Sequence, residues 1–474
     1  MRELSTSVLS FLYDSNPWWE GKKTRYLFKR WYYYDLINRI SSSKKPEAIV
    51  VVGARRTGKT TILYQLASDL CESDYSVVYI PVDELLVKGV GRLVDVVDFY
   101  RRELQDRTRS VILLDEVQYY DKWADEVKVL IDRINRKGEE TNIVCTGSSA
   151  LGITIGAGEA LVGRSNIYQV YPLSTFEVYG LMKGVTNVSK YIWENKNELV
   201  ELILSNRIRL LEKLYEDLGS KLISDVLRYL KTSLTFGGLP ETLNMIKENS
   251  SEQDIRKRLS EILDLTILRD ILKIQKLYPS RYNLDPDEAY IIIKLVLELS
   301  PFQSSLNSIS AKTGINKEKV KLALKLAEYA GIIGIAEQYS KTPIIRARKR
   351  KFKLFSMDNG LRNSLKGLNW RKLSTNLKDL GDALENFVLS RIPPILHTVG
   401  ISNPKPLYWS MKIGRKSYEV DAIIHALGKV IAIESKLSRR KTNSLNALLK
   451  YDNSIETYEV IFEEPETLVP YMMI

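Results

Sequence analysis

The run Gly53-Ala54-Arg55-Arg56-Thr57-Gly58-Lys59-Thr60 constrains this chain more than any other eight residues. The pattern G-x-x-x-x-G-K-[ST] should arise by accident roughly once in fifty chains of this length. Its flanks fit the same reading. Glu47 to Val52 reads as a buried parallel strand, and Thr61 to Leu70 as a helix. Strand, glycine-rich loop and helix together aim successive backbone N–H groups at an anion held at the positive end of the helix. The glycines at 53 and 58 are expected to let the loop curl. Lys59 then reaches the β- and γ-phosphates of a nucleoside triphosphate, and the Thr60 hydroxyl ligates Mg²⁺. The expectation is an α/β domain that binds ATP with Mg²⁺ through Gly53 to Thr60, with Thr61 beside them.

A second apolar run, Val111-Ile-Leu-Leu114, ends in Asp115-Glu116. A buried strand has no reason to end in two carboxylates unless its carboxyl end opens into a site, which is where parallel α/β sheets bind ligands. Asp115 is expected in the Mg²⁺ shell, and Glu116 is expected to orient and deprotonate the attacking water, so the pair predicts hydrolysis rather than binding alone. A third buried strand, Asn142 to Thr146, runs into Gly147-Ser148-Ser149. There a hydroxyl, Ser148 first, either senses the γ-phosphate or simply belongs to a strand-end turn.

These segments, with Leu114 to Gln118, Thr146 to Ser149, Val162-Gly-Arg164 and Tyr171 to Glu177, resemble the archaeal and bacterial AAA+ ATPases of the additional-strand, catalytic-glutamate class. The resemblance runs over nearly the whole chain, and many members of that family carry a C-terminal restriction-endonuclease-like domain. It implies that Phe236-Gly-Gly238-Leu-Pro240 is the turn whose proline, Pro240, packs on adenine. It also implies that Arg164 lines the nucleotide of a neighbouring subunit in a homo-oligomer; a solvated surface role for Arg164 stays open.

The resulting architecture is α/β, with an N-terminal aromatic arm over 1–45 and an AAA+ P-loop core over 46–185. A helical lid follows over 186–285, then a winged helix-turn-helix over 286–360 and a restriction-endonuclease-like α/β domain over 376–474. In the winged helix, Leu306 to Thr313 reads as a helix, Gly314 to Asn316 as the turn and Lys317 to Ala330 as a second helix. Lys317, Lys319, Lys321 and Lys325 would face a major groove. Arg346 to Lys353 gathers cations into a basic wing or, equally simply, a solvated hairpin. The aromatic run Tyr26 to Asp35 either stacks bases or packs a leading helix onto the core.

Near the C-terminus, Gly381 to Leu389 reads as a helix carrying Glu385, and Pro406 to Lys412, Ser417 to His425 and Lys429 to Lys436 as three strands. Asn443 to Tyr451 and Glu456 to Phe462 follow as helix and strand. That order resembles the restriction-endonuclease core. Alternation sets Glu419 and Asp421 on one face and puts Glu434 and Lys436 together on the next strand. Asp421 and Glu434 on adjacent strands are then expected to bind Mg²⁺ with Lys436 beside them as a nuclease's catalytic lysine, and the resemblance implies that Glu385 fills the family's first acidic position as a further ligand. The alternative is a Lys436–Asp421 salt bridge in a degenerate nuclease fold.

Composition bounds the partners. The 70 Lys and Arg against 58 Asp and Glu give a formal charge of +12, which favours a polyanion, DNA first. The two cysteines, Cys71 and Cys145, fit neither a disulfide framework nor a zinc site, and two histidines exclude a histidine cage. With no apolar run of membrane-spanning length and no signal-peptide pattern, the expectation is a cytoplasmic protein without a membrane partner. The leading reading is a Mg²⁺-dependent ATPase acting on nucleic acid, hydrolysis controlling DNA engagement and, through the C-terminal domain, cleavage. The competing readings are a nucleotide-switched regulatory ATPase whose C-terminal domain only binds DNA or a protein, and a transcriptional regulator.

Overall fold

A computed structural model of the chain describes residues 2–22, 26, 28–43, 45–148, 161, 163–272, 275, 283–341, 351–401, 404–439 and 443–474. Ser149, Val162 and Arg346 to Arg350, singled out above, lie outside the described residues. The chain forms two compact units, Met1–Val170 and Tyr171–Ile474.

The first unit is organised by five parallel strands, β1 (Ala48–Gly53), β2 (Ser76–Pro81), β3 (Arg109–Asp115), β4 (Glu140–Gly147) and β5 (Ser165–Val170). Their order is β2-β3-β4-β1-β5, so β4 is inserted between the strand that enters the P-loop and the strand that ends in Asp115. Both faces of β1 are covered. Ala48, Val50 and Val52 pack with the helices α1 (Arg2–Ser15), α4 (Leu93–Glu103) and α5 (Trp123–Lys137) in one apolar cluster. Ile49 and Val51, at 0% and 1% exposed, are buried on the opposite face, which is why the sequence shows an unbroken apolar run. Each of the valine and isoleucine side chains contributes about 1.5–3 kcal/mol by leaving water.

The N-terminal residues close the free edge of β2. The Asn16 side-chain amide donates to the Tyr79 carbonyl at 2.9 Å and accepts from the Tyr79 N–H at 2.7 Å, while the Trp19 indole donates to the Val77 carbonyl at 2.8 Å. These bonds satisfy a strand edge that would otherwise be open to pairing. In α2 (Trp31–Ser42), Trp31, Tyr32 and Tyr33 are buried, so these three rings pack on their own unit rather than offering faces for bases, while Tyr26 is 44% exposed.

The second unit begins with helices: α6 (Thr175–Lys183), α7 (Asn187–Ser205), α8 (Arg207–Arg228), α9 (Leu230–Phe236), α10 (Pro240–Lys247) and α11 (Glu252–Leu265). It continues with α12 (Pro286–Leu299), β6 (Phe302–Ser304), α13 (Leu306–Thr313), α14 (Lys317–Tyr329), β7 (Ile333–Gln338) and β8 (Phe352–Ser356). The turn expected at 314–316 is present, with Gly314 in the left-handed region at φ 72° and the Asn316 side chain capping α14 through the Glu318 N–H. The C-terminal elements are α15 (Asn359–Lys366), α16 (Leu377–Thr398), β9 (Leu407–Ile413), β10 (Lys416–Ala426), β11 (Lys429–Lys436), α17 (Asn443–Tyr451) and β12 (Glu456–Ile461).

The strands of this unit form one sheet, in the order β12-β11-β10-β9-β7-β8-β6. Two links make it continuous: β7 pairs parallel with β9 through Glu337 and Gln338, and Gln338 donates to the Ser410 carbonyl at 2.7 Å. Strand β8 therefore belongs to the same sheet as the acid-bearing strand β10. Among the described residues, no helix is long and apolar enough to cross a membrane.

Candidate functional site

At the end of β1 the chain turns through Ala54 to Thr57, with Arg56 and Gly58 in the left-handed region at φ 67° and 94°. Gly53 is glycine for a different reason. A β-carbon there would lie 2.3 Å from the Val170 carbonyl oxygen on β5, so this strand end has no room for a side chain. Lys59 opens helix α3 (Lys59–Cys71), and its ammonium folds back onto the Gly53 and Ala54 carbonyls, both at 2.9 Å. Thr57 closes the loop by donating its hydroxyl to the Ala54 carbonyl at 2.9 Å. Thr60 and Thr61 are half-buried on the first turn of α3, Arg55 is half-buried and Arg56 is exposed. The Arg30 guanidinium, which sequence reasoning did not single out, donates to the Thr57 carbonyl at 2.8 Å.

Asp115, 3% exposed, is held on both oxygens: the Tyr79 hydroxyl donates to Oδ2 at 2.9 Å and the Thr146 hydroxyl donates to Oδ1. Tyr79 comes from β2 and Thr146 from β4, the two neighbours of β3, so the parallel order fixes the carboxylate from either side. Burial, and then the Asp115 charge beside it, raise the Tyr79 pKa, so this hydroxyl stays a proton donor.

Glu116 adopts a left-handed backbone, φ 55°, a conformation that costs a residue of this kind on the order of 1–3 kcal/mol. The turn is held by the Glu116 N–H, which donates to Asp115 Oδ1 at 3.2 Å and to Thr146 Oγ1 at 3.3 Å. Its carboxylate accepts from the Gln118 amide, which also donates to Ser148 Oγ at 3.0 Å. Burial pushes the Glu116 carboxyl above the usual range, with Lys59 pulling the other way. Gln118 and Thr146 were legible only as parts of motifs, and Tyr79 not at all, because nothing in one strand shows which neighbour lies across from it.

Arg164, half-exposed, pairs through Nε with Asp132 at 3.1 Å. Pro240 begins α10 in the second unit, after a turn pinned by the buried Asp358, whose Oδ2 accepts from the Gly238 N–H at 2.6 Å. Arg391 donates to the Pro172 and Leu173 carbonyls, both at 3.1 Å, and the Leu173 N–H in turn donates to the Gly238 carbonyl at 2.7 Å.

The C-terminal acids do gather. Carboxylate oxygens of Glu385 on α16 and of Glu419 and Asp421 on β10 lie within 4.8 Å of one another. Glu434 on the adjacent β11 is close enough for the Asp421 charge to raise its pKa, after burial, to about 8. Lys436, the lysine expected among them, pairs with Glu459 of β12, which runs parallel beside β11 and sets Glu459 opposite Glu434, while its charge pulls the Glu434 pKa down against burial. The cation in the cluster is instead Lys353 from β8. Its ammonium lies 2.7 Å from Glu385 Oε1, 2.6 Å from Glu419 Oε1 and 3.8 Å from Asp421 Oδ1.

Lys353 is 1% exposed, so it is not part of a solvated basic wing. Burial alone would favour the neutral amine, but Glu385, Asp421 and Glu419 outweigh it and hold the lysine charged. Lys319, expected on a groove-facing surface, is also engaged, with both Glu288 carboxylate oxygens at 2.7 Å. Lys317 and Lys321 are exposed, and Lys325 is half-buried over the Tyr329 ring.

Residues 45–179 match the family model of an AAA domain, and residues 227–372 match that of a domain of unknown function. Two uncharacterized proteins of Methanocaldococcus jannaschii are similar to the chain. One is 25% identical over 384 residues, 76% of this chain and 71% of its own length, and the other 24% identical over 413 residues, 86% and 78%. Among solved structures, the ORC2 protein of Aeropyrum pernix in ADPNP–ADP complexes is similar over 72% of this chain and 93% of that one, at 12% identity and a TM-score of 0.33. DnaA from Aquifex aeolicus bound to AMPPCP is similar over 63% and 86%, at 17% identity and a TM-score of 0.25. Similarity at that level transfers no residue roles.

Proposed function

We propose that the protein is a Mg²⁺-dependent ATPase whose hydrolysis cycle controls its engagement of nucleic acid, DNA first. The observation that carries this reading is the pair Asp115–Glu116, set at the carboxyl end of β3 beside the P-loop and braced by Tyr79, Thr146 and Gln118. Asp115 and the Thr60 hydroxyl are hard oxygen donors of the kind Mg²⁺ takes, and the braced, buried Asp115 fits that role. Bound with ATP, the ion would neutralise charge on the phosphates.

The remaining steps fall to the chain's own groups. Lys59 exchanges its two carbonyl partners for phosphate oxygens, and the N–H groups at the start of α3 face the same charge. Glu116 takes the proton of the attacking water at its carboxylate, with Gln118 orienting that carboxylate and linking it to Ser148. Arg164 would act on the nucleotide of a neighbouring copy in a homo-oligomer, giving up Asp132 to do so. Pro240 would meet the adenine. For DNA, the helix-turn-helix of α13 and α14 offers Lys317 and Lys321 on an exposed surface. Cleavage by the C-terminal sheet is not part of this proposal, because the Lys353 ammonium already stands at Glu385 and within 3.8 Å of Asp421, two of the three acids that would hold the metal.

Two variants test the reading. Lys59→Ala removes charge-assisted bonds worth about 1.5–3 kcal/mol and should weaken ATP binding about 10- to 150-fold. Glu116→Gln should bind ATP as the wild type does and lose about 10²- to 10⁴-fold in phosphate release. Undiminished hydrolysis by Glu116→Gln would sink the assignment.

A further inference from the structure

The acidic cluster of the second unit holds a feature that an open metal site lacks. Three carboxylates converge from two elements, Glu385 from α16 and Glu419 and Asp421 from β10, and the point they converge on is taken by the Lys353 ammonium. Lys353 reaches it because β8 lies in the same sheet as β10, with β9 and β7 between them. The lysine is 1% exposed, while Glu419 keeps a side-chain exposure of 40%, so the ammonium forms the floor of the cluster and the acids its rim. It also donates toward the Asp421 carbonyl at 3.4 Å. Asp421 Oδ2 is committed to the Ser435 N–H at 2.7 Å, which fixes the carboxylate with its other oxygen turned to the lysine.

We propose that Lys353 is a built-in replacement for a divalent cation: its ammonium occupies the cation position among Glu385, Glu419 and Asp421 and keeps metal out of the folded protein. The geometry leaves no room for both. A divalent ion bound by these oxygens would lie about 2.0–2.6 Å from them. The ammonium is already at 2.6 and 2.7 Å from two of the same atoms, so the two cations would compete for one volume and repel each other. The second lysine near the cluster, Lys436, pairs with Glu459 and its charge acts on Glu434, so it does not take this position. With a fixed single charge in place of an exchangeable double one, the sheet keeps the framework of a metal-dependent site without its metal.

The test is Mn²⁺ binding to the full chain, without nucleotide, followed by electron paramagnetic resonance. Wild-type protein should show no bound Mn²⁺ that Asp421→Asn removes. Lys353→Met should gain one Mn²⁺ per chain at sub-millimolar concentration, and Lys353→Met/Asp421→Asn should lose it again. Wild-type binding that depends on Asp421 would overturn the proposal, and so would a folded Lys353→Met protein that gains nothing. If Lys353→Met does not fold, Lys353→Met/Glu385→Gln, which removes one opposing carboxyl with the lysine, should recover folding. Failure of that recovery, with Lys353→Arg also unfolded, would mean that packing rather than charge replacement sets the residue, and the proposal would fall.

Discussion

Gly53→Ala is the sharpest single test of how the P-loop is seated. The new β-carbon would lie 2.3 Å from the Val170 carbonyl oxygen, whereas real β-carbons essentially never come within 3.0 Å of a neighbour, so β1 and β5 must part by about 0.7 Å. The obstacle is backbone and cannot rotate away. Overpacking of this kind costs about 1–3 kcal/mol, and a weakened bond in the β1–β5 ladder adds about 1 kcal/mol, or about 2–4 kcal/mol in all. For a unit of this size that lowers the melting temperature by about 4–16 °C. The shift also moves the Gly53 carbonyl that holds Lys59, so ATP affinity should fall with stability. Calorimetry supplies the first readout and equilibrium ATP binding the second. Gly381→Ala is the control: it lies inside α16 with nothing within 4 Å, so the same exchange there should stabilise by about 0.5–1 kcal/mol. A Gly53→Ala protein that melts with the wild type and binds ATP equally well would refute the close-contact reasoning.

Two further outcomes are expected. Replacing Lys317 and Lys321 with Gln should weaken DNA binding regardless of sequence and reduce the slope of log affinity against log salt by about two units, whereas Lys319→Gln should leave the slope unchanged because Glu288 already holds that charge; equal effects from all three would contradict the placement. Burial pushes Glu385 and Glu434 from 4.5 up to about 8, so the folded state binds protons the unfolded state has released. Their contribution to stability is full below about pH 4.5 and is lost as pH rises to about 8. The urea midpoint of the second unit should therefore fall across that window, and Glu385→Gln should flatten the fall; an unchanged pH profile in that variant would count against the burial of Glu385.

Local pattern was enough for much of this protein. An apolar run too long to alternate means a strand covered on both faces, and β1, β3 and β4 are such strands. Period and turn residues likewise set the helix-turn-helix at 306–329 and the succession of helix and strands from 377 to 461, because helix caps and tight turns are decided within a few residues. The P-loop and the Asp115–Glu116 strand end could be located for the same reason: each is written in one segment.

What the tertiary structure decided is who stands opposite whom. Tyr79 and Thr146 reach Asp115 only because β2 and β4 flank β3, an order no single strand encodes. Lys353 looked like one cation in a solvated run and became the most enclosed charge of the C-terminal acids, while Lys436, spaced as a nuclease lysine, turned to Glu459. Alternation along β11 fixed the face of Lys436 but not its partner. That depended on the neighbouring strand and on the junction of β7 with β9, which carries β8 into the same sheet. Side-chain direction follows from the local backbone, whereas charge pairing follows from strand order, and strand order is settled by packing across the whole unit.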